Sequence, residues 1–516
     1  MINLQAVYFQ SEVTARRSLF ALLGFLIVLL IIESVVSPWV ALGVLIAAIM
    51  VVGAFISPTL VLGFLAIYLP FEPLVLKFVP DALYVFSRFF SEGAIYLLVV
   101  VVAWRWISGR LTSERTSLNL PFGLFILALL SAAAVHAVPL SITALGLRQI
   151  LRFPIIFFLV VALRPSKAFI QKLTFALFII LLIQSALGIA QYFIGQRLDS
   201  LLIASDTRSF GELTLTSGVE QFWDPGSRVF ATLGRYDRLG NFLYLVLLIA
   251  SGFLFTFEKK SPHMHRLLWW VFALGIPTLV LTYSRSSWFA FLIGFLFIGL
   301  IIKRDKKVFA GLLASVLIIL GYLAASGITV DLLAEAPGQT VTERFFEAFS
   351  YTRWRGEYFG LGRVFWYVQT PATVIVASPI LGWGAGQFGG GAVAALHNTR
   401  VYDELDLPFG IFGTEGHIDN NWFSLWGEAG TLGLVFFIWM GMALWREALR
   451  TYYTSSDPYV KGLAIGLCAI LLAVSFNGFT STIFEIRTVG FYVWMYGGMV
   501  WVLRENGKRS YGEQRR

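Results

Sequence analysis

Apolar runs of roughly 18 to 25 residues recur along the whole chain, separated by short polar turns and two long polar segments. A run of that length crosses the hydrocarbon core of a bilayer as one α-helix. The pattern predicts an all-α polytopic membrane protein with about fourteen transmembrane helices. They are expected near residues 18–33, 38–56, 58–76, 89–107, 121–138, 144–163, 168–194, 239–257, 267–283, 286–302, 308–325, 427–445, 460–478 and 485–503. The third and sixth are weak: one contains PFEP with Glu72, the other Arg148 and Arg152. Breaking both would leave twelve full crossings. The chain then divides into an N-terminal bundle (1–194), a first outer loop (195–238), central helices (239–325), a large outer loop (326–426), C-terminal helices (427–503) and a cytoplasmic tail (504–516). A structureless loop of a hundred residues is unusual in a compact protein, so the large loop is expected to contain helices.

Composition excludes a soluble enzyme. Of 516 residues, 58% are hydrophobic and only 13% charged, against about 25% charged in soluble domains. The net charge of +9 would suggest a nucleic-acid partner, but its distribution argues for a membrane. If Arg16 and Arg17 are cytoplasmic, alternation puts the other basic clusters on the same side. These are Arg105, Arg110 and Arg115; Arg164 and Lys167; Lys259 and Lys260; KRDKK at 303–307; Arg446, Arg450 and Lys461; and the tail from Arg504. Lys77 is the main exception. Both long polar loops fall outside and contain no lysine. The reading is therefore membrane lipids as surroundings and no nucleic acid. The single cysteine, Cys468, lies in an apolar run, so there is neither a disulfide framework nor a cysteine metal site. The first apolar run lacks a small-residue cleavage site and reads as a retained helix.

Candidate chemistry gathers on the outer side. In LTYSRSSWFAFLIG, Arg285 sits at a tight turn between two apolar runs. A guanidinium there either anchors among headgroups or belongs to a cavity that takes an anion. Arg228, Arg235 and Arg238 precede the eighth span. They either pair with Asp224 and Asp237 as a solvated face or present forked donors to phosphate oxygens. Arg363 opens GRVFWYVQTPATVIVAS, an apolar stretch suited to a membrane surface. PILGWGAGQFGGG permits tight turns, or a backbone nest for an anion. In GTEGHIDNNWFSLWGEAG, His417 has the chemistry of a base towards a hydroxyl. Asp419 is near it, Asn420 is either a helix cap or a sugar contact, and Trp422 either stacks on a sugar or anchors the helix. His397 is a second histidine candidate.

These blocks, in this order around a large outer loop, resemble the O-antigen ligase and polymerase superfamily of bacterial membrane glycosyltransferases. The resemblance covers most of the chain and is strongest from about 225 to 445. Leu281 to Gly294 looks like the family's Leu-Thr-x-Ser-Arg block, with Arg285 as its arginine. PILGWGAGQFG resembles the Pro-x-x-Gly-x-Gly block, and HIDNNWFSLWGEAGTLGL the block of the functional histidine, with Glu428 and Gly430 in its Glu-x-Gly element. RVFATLGRYDRLGNFL departs from the usual form, in which an asparagine follows a proline. The resemblance implies an undecaprenyl-pyrophosphate-linked saccharide donor, a glycan or lipid-linked acceptor and transfer outside the bacterial inner membrane. It further implies catalytic roles for His417 and Arg285, and the residues themselves offer Arg228, Arg235, Arg238, Arg363, Asp419, Asn420 and Trp422 as candidate substrate contacts. No metal and no cofactor are expected, and polysaccharide assembly machinery is an expected neighbour. Ligase and polymerase remain open alternatives. The rival classes are a transporter of a lipid-linked saccharide and a non-enzymatic envelope assembly protein.

Overall fold

The computed structural model describes residues 38–111, 114–203, 207–210, 213–216, 228–257, 262–336, 338–410 and 415–513. The expected first span at 18–33, Arg16, Arg17, Asp224, Lys259 and Lys260 lie outside the described residues. The N-terminal half runs α1 (Pro38–Ile56), α2 (Pro58–Tyr68), α3 (Glu72–Phe78), α4 (Asp81–Ile107), α5 (Asn119–Val135), α6 (Leu140–Leu151), α7 (Pro154–Leu163), α8 (Lys167–Ile194) and α9 (Gln196–Leu202). A two-stranded antiparallel hairpin follows, β1 (Thr207–Phe210) against β2 (Leu213–Thr216), with Thr207 opposite Thr216. Then come α10 (Tyr236–Leu254), α11 (Pro262–Leu281), α12 (Arg285–Leu296, continued by a wider turn to Ile302) and α13 (Lys306–Ser326). The large loop carries α14 (Val341–Phe346), α15 (Tyr351–Phe359), α16 (Arg363–Gln369), α17 (Gly391–Leu396) and α18 (Arg400–Glu404). The chain closes with α19 (Asn421–Thr454), α20 (Pro458–Asn477) and α21 (Arg487–Glu513).

Apart from the hairpin, this is an all-α polytopic membrane architecture. Nine helices among the described residues are long and apolar enough to cross a bilayer, and eleven if each of two bent pairs is one span. The bent pairs are the two weak spans. α2 and α3 meet at 79°, and α6 and α7 at 58°. Polar and charged residues at these breaks offer the freed backbone an alternative to the helical ladder. The expected count of fourteen is not confirmed by the described residues. The run at 121–138 forms α5, only 17 residues long. The run at 485–503 lies in α21, whose segment from Val489 to Leu503 is mostly buried among other helices. A helix that faces protein on all sides does not need a uniformly apolar surface.

The centre is the pair α10 and α20. Their backbones approach closely because Gly252 and Gly462 face each other: a Cβ at Gly252 would lie 2.1 Å from the Gly462 carbonyl oxygen. Small residues at such contacts let membrane helices pack without a water-driven force. α13 lies at the opposite extreme, with no buried residue.

Contacts sort the polar segments onto two ends of the bundle. At one end, Arg164 pairs with Glu114, Lys167 with Asp457, and Lys303 sits 5.3 Å from the Tyr452 ring centroid. At the other, Arg487 meets Glu72, Arg228 meets Glu335, and His136 lies 3.2 Å from Ser378. Lys77, the exception to the charge rule, belongs to this second end and donates to the Leu201 carbonyl at 3.1 Å, at the C-terminus of α9. Which compartment each end faces is a testable expectation. Reporters fused after residues 210 and 370 should read outside the cytoplasm, and those after 262, 305 and 452 inside. A cytoplasmic signal at 370 would remove any outer site built from the large loop.

Candidate functional site at the loop-bearing end

The stretch Leu281–Trp288 folds as a hydrogen-bonded corner between α11 and α12. Thr282 Oγ1 donates to the Leu279 carbonyl at 2.6 Å and accepts the Ser284 N–H at 3.2 Å. Trp288 Nε1 donates to the same Leu279 carbonyl at 2.7 Å. Tyr283 takes a left-handed φ of 53°, which reverses the chain and makes Arg285 the first residue of α12. Beneath it, Ser284 and Ser287 hydroxyls lie 2.9 Å apart, Ser287 Oγ donates to Asn241 Oδ1 at 3.1 Å, and Asn477 Nδ2 donates to the same oxygen at 2.9 Å. This buried network ties α10, α12 and α20 together, so Arg285 stands on a rigid support. The serines and threonine around it serve the turn.

Arg285 enters a cluster of guanidiniums and carboxylates built mostly by the large loop. Its Nη1 lies 3.1 Å from Glu347 Oε1, and Glu347 is fully buried. Arg344 Nη1 contacts Glu347 Oε2 at 2.8 Å and Glu335 Oε1 at 3.1 Å. Glu335 also accepts from Arg228 Nη2 at 2.8 Å and from Arg353 Nη1 at 2.7 Å. Arg353 pairs in turn with Glu357, which lies 3.7 Å from Arg363 Nη1. Arg363 Nη2 then reaches Asp419 Oδ2 at 3.1 Å. Among the described residues, Arg228, Arg285, Arg344, Arg353 and Arg363 thus share Glu335, Glu347, Glu357 and Asp419. Burial raises the Glu335 pKa, but Arg344, Arg228 and Arg353 outweigh it and bring it to about 2. Burial likewise opposes the charge on Arg363, yet Asp419 and Glu357 hold its pKa above the ordinary arginine value. A crevice of about 370 Å³ opens beside the cluster, lined in part by Glu335, Arg353, Glu357 and Gly362.

The other arginines divide. Arg235 pairs with Asp237 at 2.9 Å, as the solvated-face reading has it, and Asp237 raises its pKa. Arg238 makes no ion pair with a described residue. It lies within electrostatic reach of Asp237 and Arg235 on one side and of Arg487 and Glu72 on the other.

His417 lies at a turn pinned on both sides. Gly416 N–H donates to the Phe409 carbonyl at 2.7 Å, and Ile418, fully buried, donates to the Gly389 carbonyl at 3.2 Å. The imidazole between them is exposed and makes no hydrogen bond with a described residue. Asp419, two residues on, is engaged with Arg363 and is not placed as a partner for the imidazole. Asn420 is the N-cap of α19, accepting the Phe423 N–H at 3.0 Å. Trp422 packs against Phe437, Phe479 and Phe484, with its indole N–H on the Ser475 carbonyl at 2.8 Å. Both therefore help hold α19 in place. His397 ends α17 with a left-handed φ of 49° against the Phe409 ring, a turn position.

The glycine-rich loop turns N–H groups onto internal carboxyl groups. Gly386 N–H donates to Glu428 Oε1 at 2.8 Å, and Gly391 N–H to Glu485 Oε2 at 3.0 Å. The loop also docks on the break in α19: Trp383 N–H meets the Gly427 carbonyl at 2.8 Å and Gly384 N–H the Glu428 carbonyl at 2.9 Å. That break is Gly430, at φ 64° and ψ −174°, a region that only glycine enters cheaply. A Cβ there would also lie 2.3 Å from the Ile380 carbonyl oxygen. Gly430→Ala is expected to cost roughly 3 kcal/mol or more of stability, strain and overlap adding. Thermal unfolding in detergent checks this, and an unchanged midpoint would contradict it.

Sequence reasoning missed the carboxylate partners Glu335, Glu347 and Glu357 and the extra arginines Arg344 and Arg353. The available signal was seven charged residues of both signs between 335 and 357, in a loop without lysine. It also missed Asn241 and Asn477, two amides isolated near the ends of apolar runs. Among the described residues no group of three His, Cys, Asp or Glu side chains is arranged to hold a metal ion.

No curated protein matches the chain. Residues 270–438 match the family described as O-antigen ligase. The match runs from α11 into α19 and includes Arg285, Glu335, Glu347, Arg363, the glycine-rich loop and His417. The resemblance carried by the motifs thus holds over residues 270–438 of this polytopic membrane protein, which are similar to the O-antigen ligase family.

Proposed function

We propose that the protein is a membrane glycosyltransferase that moves a saccharide from an undecaprenyl-pyrophosphate-linked donor to an acceptor hydroxyl outside the cytoplasm. The observation that carries this reading is the convergence of Arg228, Arg285 and Arg363 in one cluster, with exposed His417 two residues from Arg363's partner Asp419. In the reaction, the acceptor oxygen attacks the anomeric carbon and its proton passes to His417. The bond from that carbon to the pyrophosphate oxygen breaks, and the electron pair leaves with the diphosphate. The guanidiniums stabilise that growing charge, with Arg285 carried on the hydrogen-bonded corner at Tyr283. Before the donor arrives, Glu335 and Glu347 occupy the donor forks of Arg228 and Arg285. The diphosphate exchanges with them. Attack opposite the leaving group inverts the anomeric centre.

An apolar groove of about 520 Å³ supports a lipid-linked donor. Ile189, Tyr192 and Phe193 of α8 line it with Ile276, Pro277, Val280 and Leu281 of α11. It ends four residues before Arg285, so an isoprenoid tail lying there brings its head group to the cluster.

The test supplies the purified protein in a bilayer disc with a defined undecaprenyl-pyrophosphate oligosaccharide, with and without a lipid A-core acceptor. A lengthened lipid-linked glycan identifies a polymerase, and a glycan on the core a ligase. Intact donor in every arm, with folded protein, would sink the reading.

A further inference from the structure

Transfer creates a product that the arginine cluster holds more tightly than the substrate. In the donor, the diphosphate is esterified at both ends. When the bond to the anomeric carbon breaks, the electron pair stays on the phosphate oxygen and the diphosphate gains a negative charge. Guanidiniums that favour this charge as it develops go on favouring it afterwards. The lipid diphosphate left behind therefore needs a group that displaces it.

Glu335 has the position for that task. Its Oε1 accepts from Arg228 Nη2 at 2.8 Å and lies 3.1 Å from Arg344 Nη1, and its Oε2 accepts from Arg353 Nη1 at 2.7 Å. One carboxylate thus bridges three guanidiniums, as a phosphate group would. Each of the three keeps another support when Glu335 leaves. Arg344 stays on Glu347 at 2.8 Å, Arg353 stays on Glu357, and Arg228 lies 4.6 Å from the Tyr236 ring centroid.

Glu335 and Glu347 differ in freedom. Glu347 is fully buried, whereas the Glu335 side chain is 41% exposed. No residue from 328 to 336 is buried. The backbone on either side of Glu335 is nevertheless anchored. Ser350 and Thr352 hydroxyls donate to the Asp331 carbonyl at 3.1 and 2.8 Å, and Gln339 Nε2 donates to the Ala334 carbonyl at 2.8 Å. Rotation about its own side-chain bonds can move the carboxylate out of the forks, into water or the crevice that it lines with Arg353 and Gly362. The anchored backbone keeps it close enough to return. A group on so short a tether acts at an effective concentration on the order of millimolar. The surrounding arginines hold its pKa at about 2, so it returns as an anion.

We propose that Glu335 is a product-release residue: it takes back the forks of Arg228, Arg344 and Arg353 as the diphosphate departs, and so expels the spent lipid carrier. This role rests on the transfer reading and adds how the same site is cleared for the next round.

The test compares the full-length wild type with Glu335→Gln, which keeps the shape and loses the charge, in maltoside micelles free of phosphate. Affinity is measured for undecaprenyl diphosphate and, separately, for inorganic pyrophosphate. Transfer is measured in a single turnover and at steady state. Glu335→Gln is expected to bind undecaprenyl diphosphate about tenfold or more tighter, because charged hydrogen bonds no longer compete. Affinity changes lie mostly in the dissociation rate, so the ratio of steady-state to single-turnover rate should fall by a similar factor. Glu335→Asp, which keeps the charge on a shorter arm, should lie between the two. Tightening for pyrophosphate as well assigns the competition to the diphosphate group alone, and tightening only for the lipid assigns it to the lipid-linked form; both uphold the role. A residue that merely positions the arginines would give the opposite sign, with weaker diphosphate binding and a lower thermal midpoint in Glu335→Gln. That result, failure of Glu335→Gln to fold, or an unchanged affinity and rate ratio overturns product release and leaves the transfer reading intact. A wild type that binds undecaprenyl diphosphate but transfers from no donor overturns the reading, and product release with it.

Discussion

Arg285→Ala is expected to cut single-turnover glycan transfer by about 10²- to 10³-fold, the usual loss when one preorganised donor to developing charge is removed. Donor binding should weaken in the same variant, since the guanidinium meets the diphosphate before and during departure. Arg285→Lys should recover only part of the rate: it keeps the charge but loses the planar fork. Stability should change little by comparison, because Glu347 keeps Arg344 at 2.8 Å and Arg353 at 3.5 Å when Arg285 is gone. Those two partners separate a chemical loss from unfolding. The measurement is transfer and donor affinity on variants with an unchanged thermal midpoint. Wild-type rate and affinity in Arg285→Ala would return the residue to the role of a headgroup anchor.

His417→Ala should lower transfer by about 10²- to 10⁴-fold, the range for removing a positioned general base, while donor binding stays at the wild-type level. Its exposed ring makes no hydrogen bond with a described residue, so the substitution should leave the fold intact. His417→Gln keeps some hydrogen bonding but cannot take the proton, and should remain close to alanine in rate. Transfer by His417→Ala at the wild-type rate across pH, to the same acceptor and product, would show that the base is wrong. The arginine cluster would stand, because a well-placed hydroxyl can attack without losing its proton first.

The apolar periodicity made the class and most helix positions legible, since lipid imposes one rule on every exposed residue of a span. It also located both breaks, because Glu72 and Arg148 with Arg152 interrupt apolar runs where a straight helix would expose charge to lipid. The count was less legible: α21 answers to protein neighbours, and α5 is short. The Arg285 turn was legible from its own residues, because Thr282, Ser284 and Ser287 bond within a few positions or to the next helix.

The partners of the arginines were beyond sequence reading. Arg228 and Glu335 are 107 residues apart, and Arg363 and Asp419 are 56. Arg148 and Glu92 are also 56 apart. Asn420 and Trp422 looked equally suited to a ligand or to packing, and only the fold showed the packing contacts they make. The glycine loop was readable as a set of N–H donors, but not the carboxyl group that meets them, Glu428. By itself the sequence determined which segments belong in lipid and which side chains carry chemistry, because hydration costs act on each residue separately. The tertiary structure decided which charges meet, because pairing depends on distances between segments that helix packing alone sets.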